Sequence, residues 1–140
     1  MKGKELIIGG LKTAGVISVY NLMVLGAMVV FGYGTYPVDP FDSTGSEMSA
    51  LNFVIRTIVM GGILPGLLGS IVWLKIHDRW KEKSSIIFTV FAMFIATIMT
   101  IPNSSSPTGD AFILTTVLHY TTAILGSLFI PHISITETSN

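Results

Sequence analysis

The sequence has no cysteine and few charged residues. Only 11% of its 140 residues are Asp, Glu, Lys or Arg, whereas a soluble domain carries roughly 25%. The absence of cysteine excludes a disulfide, a thiolate metal ligand and a cysteine redox centre. The few basic residues form no patch of the kind that binds nucleic acid. Half of the residues are hydrophobic and the mean hydropathy is +0.70, which is typical of a protein whose main partner is the lipid bilayer.

Long stretches of the sequence also lack basic residues. Seven of the eight Lys and Arg residues lie either in the first 12 residues or in the short segment Lys75–Lys83. The polar segments 32–47 and 102–110 contain none. Because basic loops of membrane proteins stay in the cytoplasm, this distribution predicts that both termini and the middle loop are cytoplasmic.

Four apolar runs separate the polar segments, at about 13–33, 49–74, 84–101 and 111–130. Each is long enough to cross the ~30 Å hydrocarbon core at ~1.5 Å per residue. A backbone in lipid must satisfy its hydrogen bonds internally, which favours helices. The sequence therefore predicts an all-α fold, with a single domain over residues 1–140 that forms an integral membrane bundle of four transmembrane helices. We expect the first run to be a retained helix rather than a signal peptide, because it exceeds the usual signal core and no A-x-A site follows it.

The second apolar run carries small residues at every fourth position. Gly62, Gly66 and Ser70 lie on one side of a helix over Leu51–Leu74, which lets a neighbouring helix approach closely. We call these three residues the glycine stripe. The neighbour is either another helix of the same chain or a second copy, so the stripe leaves a homo-oligomer open as an alternative.

Two helix ends can be placed from single residues. Thr44 and Glu47 have the spacing of a capping box, which predicts that these two residues open the second helix. Pro131 removes a backbone donor and is expected to end the last helix.

Among the polar residues inside the predicted spans are Asn21, Arg56 and His119. Each occupies the side of its helix that carries small or polar residues, so each is expected to face protein. Their depths below the outer surface are about 18, 7 and 12 Å, respectively, from the helical rise. A buried polar group without a partner costs about 1–3 kcal/mol, which favours mutual hydrogen bonds. We therefore predict an outer-half polar cluster of Arg56, His119 and Thr115 or Thr116, with Asn21 below it, as the candidate ligand-binding site.

Two interpretations of Arg56 stay open. It can pair with an acidic or carbonyl group of the outer loops, because an unpaired guanidinium in lipid is costly. The acidic residues on that side are Asp39, Asp42, Glu47 and Asp110. Alternatively, its long side chain can extend to the phosphates of the interface.

The predicted spans contain no Asp or Glu, which disfavours a proton-coupled transporter with a membrane-embedded carboxylate. Bis-histidine haem ligation in a helical bundle needs two intramembrane histidines on facing helices. Only His119 lies inside a span, so a haem site would need a second copy of the chain. His77 and Asp78 are adjacent but too few for a metal site. We therefore predict no cofactor, no metal site and no catalytic residue.

The features follow one another in a recognisable order. A basic start, an acidic Pro/Gly loop and a glycine-rich second span lead to a short loop flanked by Trp73 and Trp80. A Ser/Thr/Pro loop then precedes a last span with Leu118–His119 at its centre. Over about Thr13–Ile133, this order resembles a family of small four-span prokaryotic membrane proteins of unknown function. The resemblance implies the four-span fold and a place in a prokaryotic cytoplasmic membrane, and it implies no activity.

Two classes of function remain open on the sequence. The first is a non-enzymatic accessory or self-associating bundle that binds a lipid or a small apolar ligand. The second is a small transporter or channel subunit with a polar cavity in its outer half. A cavity at the polar cluster that opens to the outside would make the cluster a ligand site, whereas a filled space would make it structural.

Overall fold

Every regular element in the described part of the chain is helical. The computed structural model describes residues 3–34, 36–37, 45–101 and 109–138. In chain order the elements are α1 (Gly3–Val30), α2 (Ala50–Ile58), a π-helical turn (Val59–Ile63), α3 (Leu64–Trp80), a 3-10 turn (Lys81–Lys83), α4 (Ser84–Thr100) and α5 (Gly109–Thr138). The predicted all-α fold is confirmed for these residues.

Within the described residues, three helical stretches are long and apolar enough to cross a membrane. They are Ile7–Val30, Ala50–Thr100 and Gly109–Ile133. The middle stretch has 51 residues, whereas one crossing needs only ~20. It contains α2, α3 and α4.

Lys81 ends α3 and reverses the chain. Its φ of 37° lies in the left-handed region, which a continuing α-helix does not enter. On either side of the turn, the ring of Trp73 packs edge-on against Phe88 with centroids 5.6 Å apart. His77 Nδ1 lies 3.1 Å from Ser84 Oγ, and the Ser84 hydroxyl donates to the Lys81 carbonyl. Because the contacting residues are placed symmetrically about the turn, α3 and α4 form an antiparallel hairpin.

α1 runs antiparallel to α2 and α3 and packs directly on the glycine stripe. A Cβ added to Gly66 would lie 2.7 Å from the backbone N of Ala14. A Cβ added to Gly62 would collide with the side chain of Ser18. The whole stripe is buried. A homo-oligomer through these residues would therefore have to displace α1.

α5 runs parallel to α3 in a fixed register. Thr122 Oγ1 lies 3.2 Å from the carbonyl O of Gly61, 61 positions earlier. A Cβ added to Gly69 would lie 2.5 Å from Cδ1 of Ile130, which has the same separation in sequence. A residue of α2 or α3 is therefore level with the residue 61 positions later in α5.

The alternating directions define two ends of the bundle. The start of α1, the Lys81–Lys83 turn and the end of α5 lie together, and we call this the basic end. Exposed basic side chains among the described residues at this end include Lys75, Arg79, Lys81 and Lys83. The opposite ends of the helices, at Val30, Ala50, Thr100 and Gly109, lie together, and we call this the loop end.

The start of α2 differs from the expectation. The helix begins at Ala50, and the hydroxyl of Ser49 caps it by accepting from the backbone N–H of Asn52 at 3.3 Å. Serine is among the best N-cap residues, and Ser49 directly precedes the apolar run. The capping box with Glu47 was therefore wrong; its other member, Thr44, lies outside the described residues.

The outer helices are longer than the predicted spans. α1 begins at Gly3 instead of near residue 13. α5 continues through Pro131 to Thr138, so the predicted stop at Pro131 is wrong. A proline removes one hydrogen bond of a helix, and neighbouring groups in a packed bundle can compensate for that loss.

The core consists of two apolar clusters separated along the bundle axis. The cluster nearer the loop end contains Leu25, Met48, Phe53, Leu114 and Leu118. The cluster nearer the basic end contains Trp73, Ile76, Phe88 and Ile130.

Candidate functional site

A cavity of about 580 Å³ reaches from one apolar cluster to the other, bounded by α2, α3, α4 and α5. Its volume is in the range of small-molecule sites, roughly 300–1,000 Å³. Most of the described residues that line it are apolar, and none is Asp or Glu. Arg56 is the charged residue among them.

The cavity opens sideways. Its edges carry exposed apolar side chains: Met60, Leu64 and Leu68 on one side, and Phe91, Ile95 and Met99 of α4 on the other. Its floor is formed by buried residues of α5: Leu118, Ala123 and Ile130. The opening therefore lies between α3 and α4 and faces away from the bundle axis. We call this space the lateral groove.

Hydrogen bonds join three helices at the middle of the lateral groove. Asn21 Nδ2 donates to the carbonyl of Gly61 at 3.0 Å and to Thr122 Oγ1 at 2.7 Å. The Thr122 hydroxyl donates to the same carbonyl at 3.2 Å. Asn21 is fully buried, and all three residues line the groove. We call Asn21, Gly61 and Thr122 the hub.

Pro65 explains why the Gly61 carbonyl is available to the hub. In an α-helix this carbonyl would accept from the N–H of residue 65, and proline has no N–H. The helix also widens into a π-helical turn here, in which the N–H of Leu64 donates to the carbonyl of Val59. Such turns often occur at functional sites. Side chains of α1 and α5 supply the donors that the helix itself lacks.

Four of the five predicted site residues line the lateral groove: Asn21, Arg56, Thr115 and His119. The register of α5 against α2 and α3 places Arg56 level with residue 117. That is about 3 Å from the depth of His119, and both side chains are half-buried. Thr116 is not part of the lining.

Several predicted partners bond elsewhere or not at all. Asn21 bonds within the hub, and Thr115 Oγ1 donates to the Ala111 carbonyl of its own helix at 2.8 Å. His119 Nδ1 is buried and has no hydrogen-bond partner in the described structure, and the same holds for Thr116 Oγ1. An N–H at His119 Nδ1 would be a buried unpaired donor, so the neutral tautomer with its proton on Nε2 is favoured. Asn21, Thr115 and His119 therefore line one cavity, and the described hydrogen bonds of Asn21 and Thr115 go to other residues.

The pairing of Arg56 with an outer acid stays a prediction. Asp39 and Asp42 lie outside the described residues. Glu47 and Asp110 are exposed at the loop end.

Neither a metal site in the described residues nor a similar protein indicates what the chain does. Within the described part of the chain, no three His, Asp or Glu side chains come close enough to hold a metal ion. The chain matches no protein-family model, no curated protein and no solved structure. The lateral groove and the hub are therefore the features of the molecule that point to a function.

Proposed function

We propose that the chain is an integral membrane protein that crosses the bilayer four times, with both termini in the cytoplasm. The turn at Lys81 divides the 51-residue apolar stretch into two antiparallel arms, and α1 and α5 supply the other two crossings. The exposed basic residues Lys75, Arg79, Lys81 and Lys83 at one end of the bundle support a cytoplasmic location of that end, by the positive-inside rule. We propose further that this membrane is a prokaryotic cytoplasmic membrane.

The lateral groove binds an acyl chain or a similar apolar ligand inside the membrane, without chemical conversion. The observation that carries this proposal is the sideways opening, which is edged by exposed apolar side chains on both α3 and α4. In a bilayer these edges meet lipid, so the groove exchanges its occupant with the membrane rather than with water.

The length of the lateral groove also suits a single acyl chain. From Arg56 to Val72 the lining extends about 24 Å along the helix axis at ~1.5 Å per residue. One leaflet of a ~30 Å hydrocarbon core is about 15 Å thick. One extended acyl chain therefore fits along the groove.

A transporter or channel subunit is the alternative, and Arg56 and His119 on the groove wall favour it. Beyond the hub toward the basic end, however, the lining includes Leu64, Leu68, Val72 and Phe88. Such a lining offers no polar groups to an ion or a polar solute. The geometry therefore supports an apolar ligand better.

Lipid retained by the purified protein tests the proposal. Ala92 lines the groove and is half-buried, whereas Val90 on the same helix lies outside the lining and is 64% exposed. We expect Ala92→Trp to fill the groove and to reduce the number of lipid molecules per protein seen by native mass spectrometry. Val90→Trp is the matched control and should leave that number unchanged. Equal lipid retention by the two variants and the unmodified protein would contradict binding in the groove.

A further inference from the structure

His119 carries a hydrogen-bond donor that can meet a ligand in the lateral groove. The ring lines the groove and is half-buried. Its Nδ1 is buried, so the nitrogen that a ligand can reach is Nε2. The favoured neutral tautomer and the charged ring both carry a proton on Nε2, so this nitrogen donates in either state. Among the described residues, none hydrogen-bonds the ring. An acceptor on a ligand would therefore satisfy it.

Two threonines on the same part of the groove wall use their protons within their own helices. Thr57 Oγ1 donates to the Phe53 carbonyl at 2.9 Å, and Thr115 Oγ1 donates to the Ala111 carbonyl at 2.8 Å. A donor that lacks an acceptor is costly in an apolar surrounding. This part of the wall therefore favours a ligand that brings an acceptor and no further donor, as the carbonyl of an ester does.

The depth of His119 limits the head group of that ligand. By the register of α5, His119 is level with Ile58, about 12 Å below Ala50, the first residue of α2. The phosphate of a phospholipid lies outside the ~30 Å hydrocarbon core, and its ester carbonyls lie next to it. An ester that carries no phosphate can enter to the depth of His119. From there the apolar lining continues to Val72 and Phe88.

We infer that the lateral groove holds a single-chain acyl ester without a charged head group, and that His119 recognises its carbonyl. The Nε2–H donates to the carbonyl oxygen, and the acyl chain runs past the hub toward Trp73. This inference rests on the proposed function, since it names the polar group of the ligand that the groove holds. It adds a recognition role for His119.

Trp73 provides a reporter for the acyl chain. It is 1% exposed and packs against Phe88, which lines the groove. The protein has two tryptophans, so Trp80→Phe leaves Trp73 as the single fluorophore. This variant is reconstituted in vesicles of an ether-linked phosphatidylcholine, which has no ester carbonyl of its own. It is titrated with methyl stearate that is brominated near its methyl end. We expect saturable quenching of Trp73.

The carbonyl is tested by changing the ligand and then the protein. A brominated hydrocarbon of the same length should bind about three- to tenfold more weakly, because one neutral hydrogen bond is lost. His119→Leu should remove this preference, and His119→Gln, which keeps an N–H, should retain part of it. Tyr120→Phe is the matched control, since it removes a neighbouring polar group outside the groove lining and should keep the full preference.

The infrared band of the bound carbonyl reports the hydrogen bond itself. A hydrogen bond weakens the C=O bond, so the ester stretch should lie at lower frequency with the protein than in vesicles alone. His119→Leu should abolish this shift. A purely structural role of His119 would instead change the affinity for both ligands alike and leave the shift in place.

The other outcomes overturn defined parts of the account. Equal saturation by ester and hydrocarbon, or an unchanged carbonyl band in His119→Leu, would refute recognition by His119 and leave the proposed function intact. Tighter saturation by a prenylated quinone, which also carries carbonyls, would refute the choice of an acyl ester. Quenching that fails to saturate with any of these ligands would refute the proposed function as well. If His119→Leu does not fold, the ligand comparison and the carbonyl band of the Trp80→Phe protein decide.

Discussion

Asn21 in α1 donates a hydrogen bond of 3.0 Å to the carbonyl of Gly61, which lies 40 positions later in the sequence. This carbonyl lacks its usual helical donor because Pro65 stands four residues after it. A proline that would weaken an isolated helix thus gives rise to a connection between three helices. In lipid, where no water reaches the backbone, such side-chain donors are what makes an interrupted helix tolerable.

Removal of the Asn21 amide should destabilise the protein. Asn21→Ala is expected to lower the free energy of unfolding by about 1–2 kcal/mol, because it deletes two interhelical hydrogen bonds that are worth roughly 0.6 kcal/mol each in membranes and leaves a cavity. Reversible unfolding in mixed micelles measures the change. Tyr120→Phe is the control, since it deletes an exposed interhelical contact of 3.0 Å to Thr97, and its effect should be smaller. An equal effect of the two substitutions would argue against a structural role for the hub.

Asn21 and Pro65 should also be energetically coupled. Pro65→Ala restores an N–H that can satisfy the Gly61 carbonyl from within the helix. Asn21→Ala should therefore cost less in the Pro65→Ala background, by about 0.5 kcal/mol or more. Strict additivity in this double-mutant cycle would show that the proline is not the reason why Gly61 recruits Asn21.

The glycine stripe should tolerate no added carbon at its centre. A Cβ at Gly66 would lie 2.7 Å from the backbone N of Ala14, and a backbone atom cannot rotate out of the way. Gly66→Ala should destabilise the protein by about 1–3 kcal/mol, as overpacking does. Gly26 is the matched control, because a Cβ there meets nothing within 4 Å. If both alanine variants unfold at the same denaturant concentration, α1 does not pack on the stripe as described.

The helical class and the packing role of the glycine stripe could be predicted from the sequence because both depend on local patterns. Hydropathy sets the class, and a spacing of four residues puts Gly62 and Gly66 on one side of a helix. One part of the hub could be predicted from the sequence. Pro65 stands four residues after Gly61, so the Gly61 carbonyl lacks its usual helical donor. The donors Asn21 and Thr122 could not be identified, because only the packing of three helices brings them to that carbonyl.

The lateral groove itself could not be predicted. It depends on the gap between α3 and α4, which are held together at the basic end by contacts such as that of Trp73 with Phe88. Thr116 was included in the predicted site as an alternative to Thr115, but a helix turns by ~100° per residue. Only Thr115 of the two therefore lines the groove.

Single-cysteine variants test the number and orientation of the membrane crossings. The chain has no cysteine of its own, so all maleimide labelling of a variant comes from the introduced residue. Glu47 at the loop end and Glu82 in the turn at the basic end are both exposed. Glu47→Cys should react with a membrane-impermeant maleimide in intact cells, whereas Glu82→Cys should react only after lysis. The reverse pattern would invert the proposed orientation. Reaction of both variants in intact cells would rule out a pair of crossings joined at Lys81.

Photocrosslinking measures the occupancy of the lateral groove most directly. A fatty acid with a diazirine near its methyl end is activated in the reconstituted protein, and the cross-linked residues are mapped by mass spectrometry. The groove lining is represented by Leu68, Val72, Phe88 and Ile95. Exposed apolar residues outside it are Ile86, Val90 and Phe94. We predict cross-links concentrated on the first set and removed by excess unlabelled fatty acid; cross-links spread evenly over both sets and insensitive to competition would contradict the account.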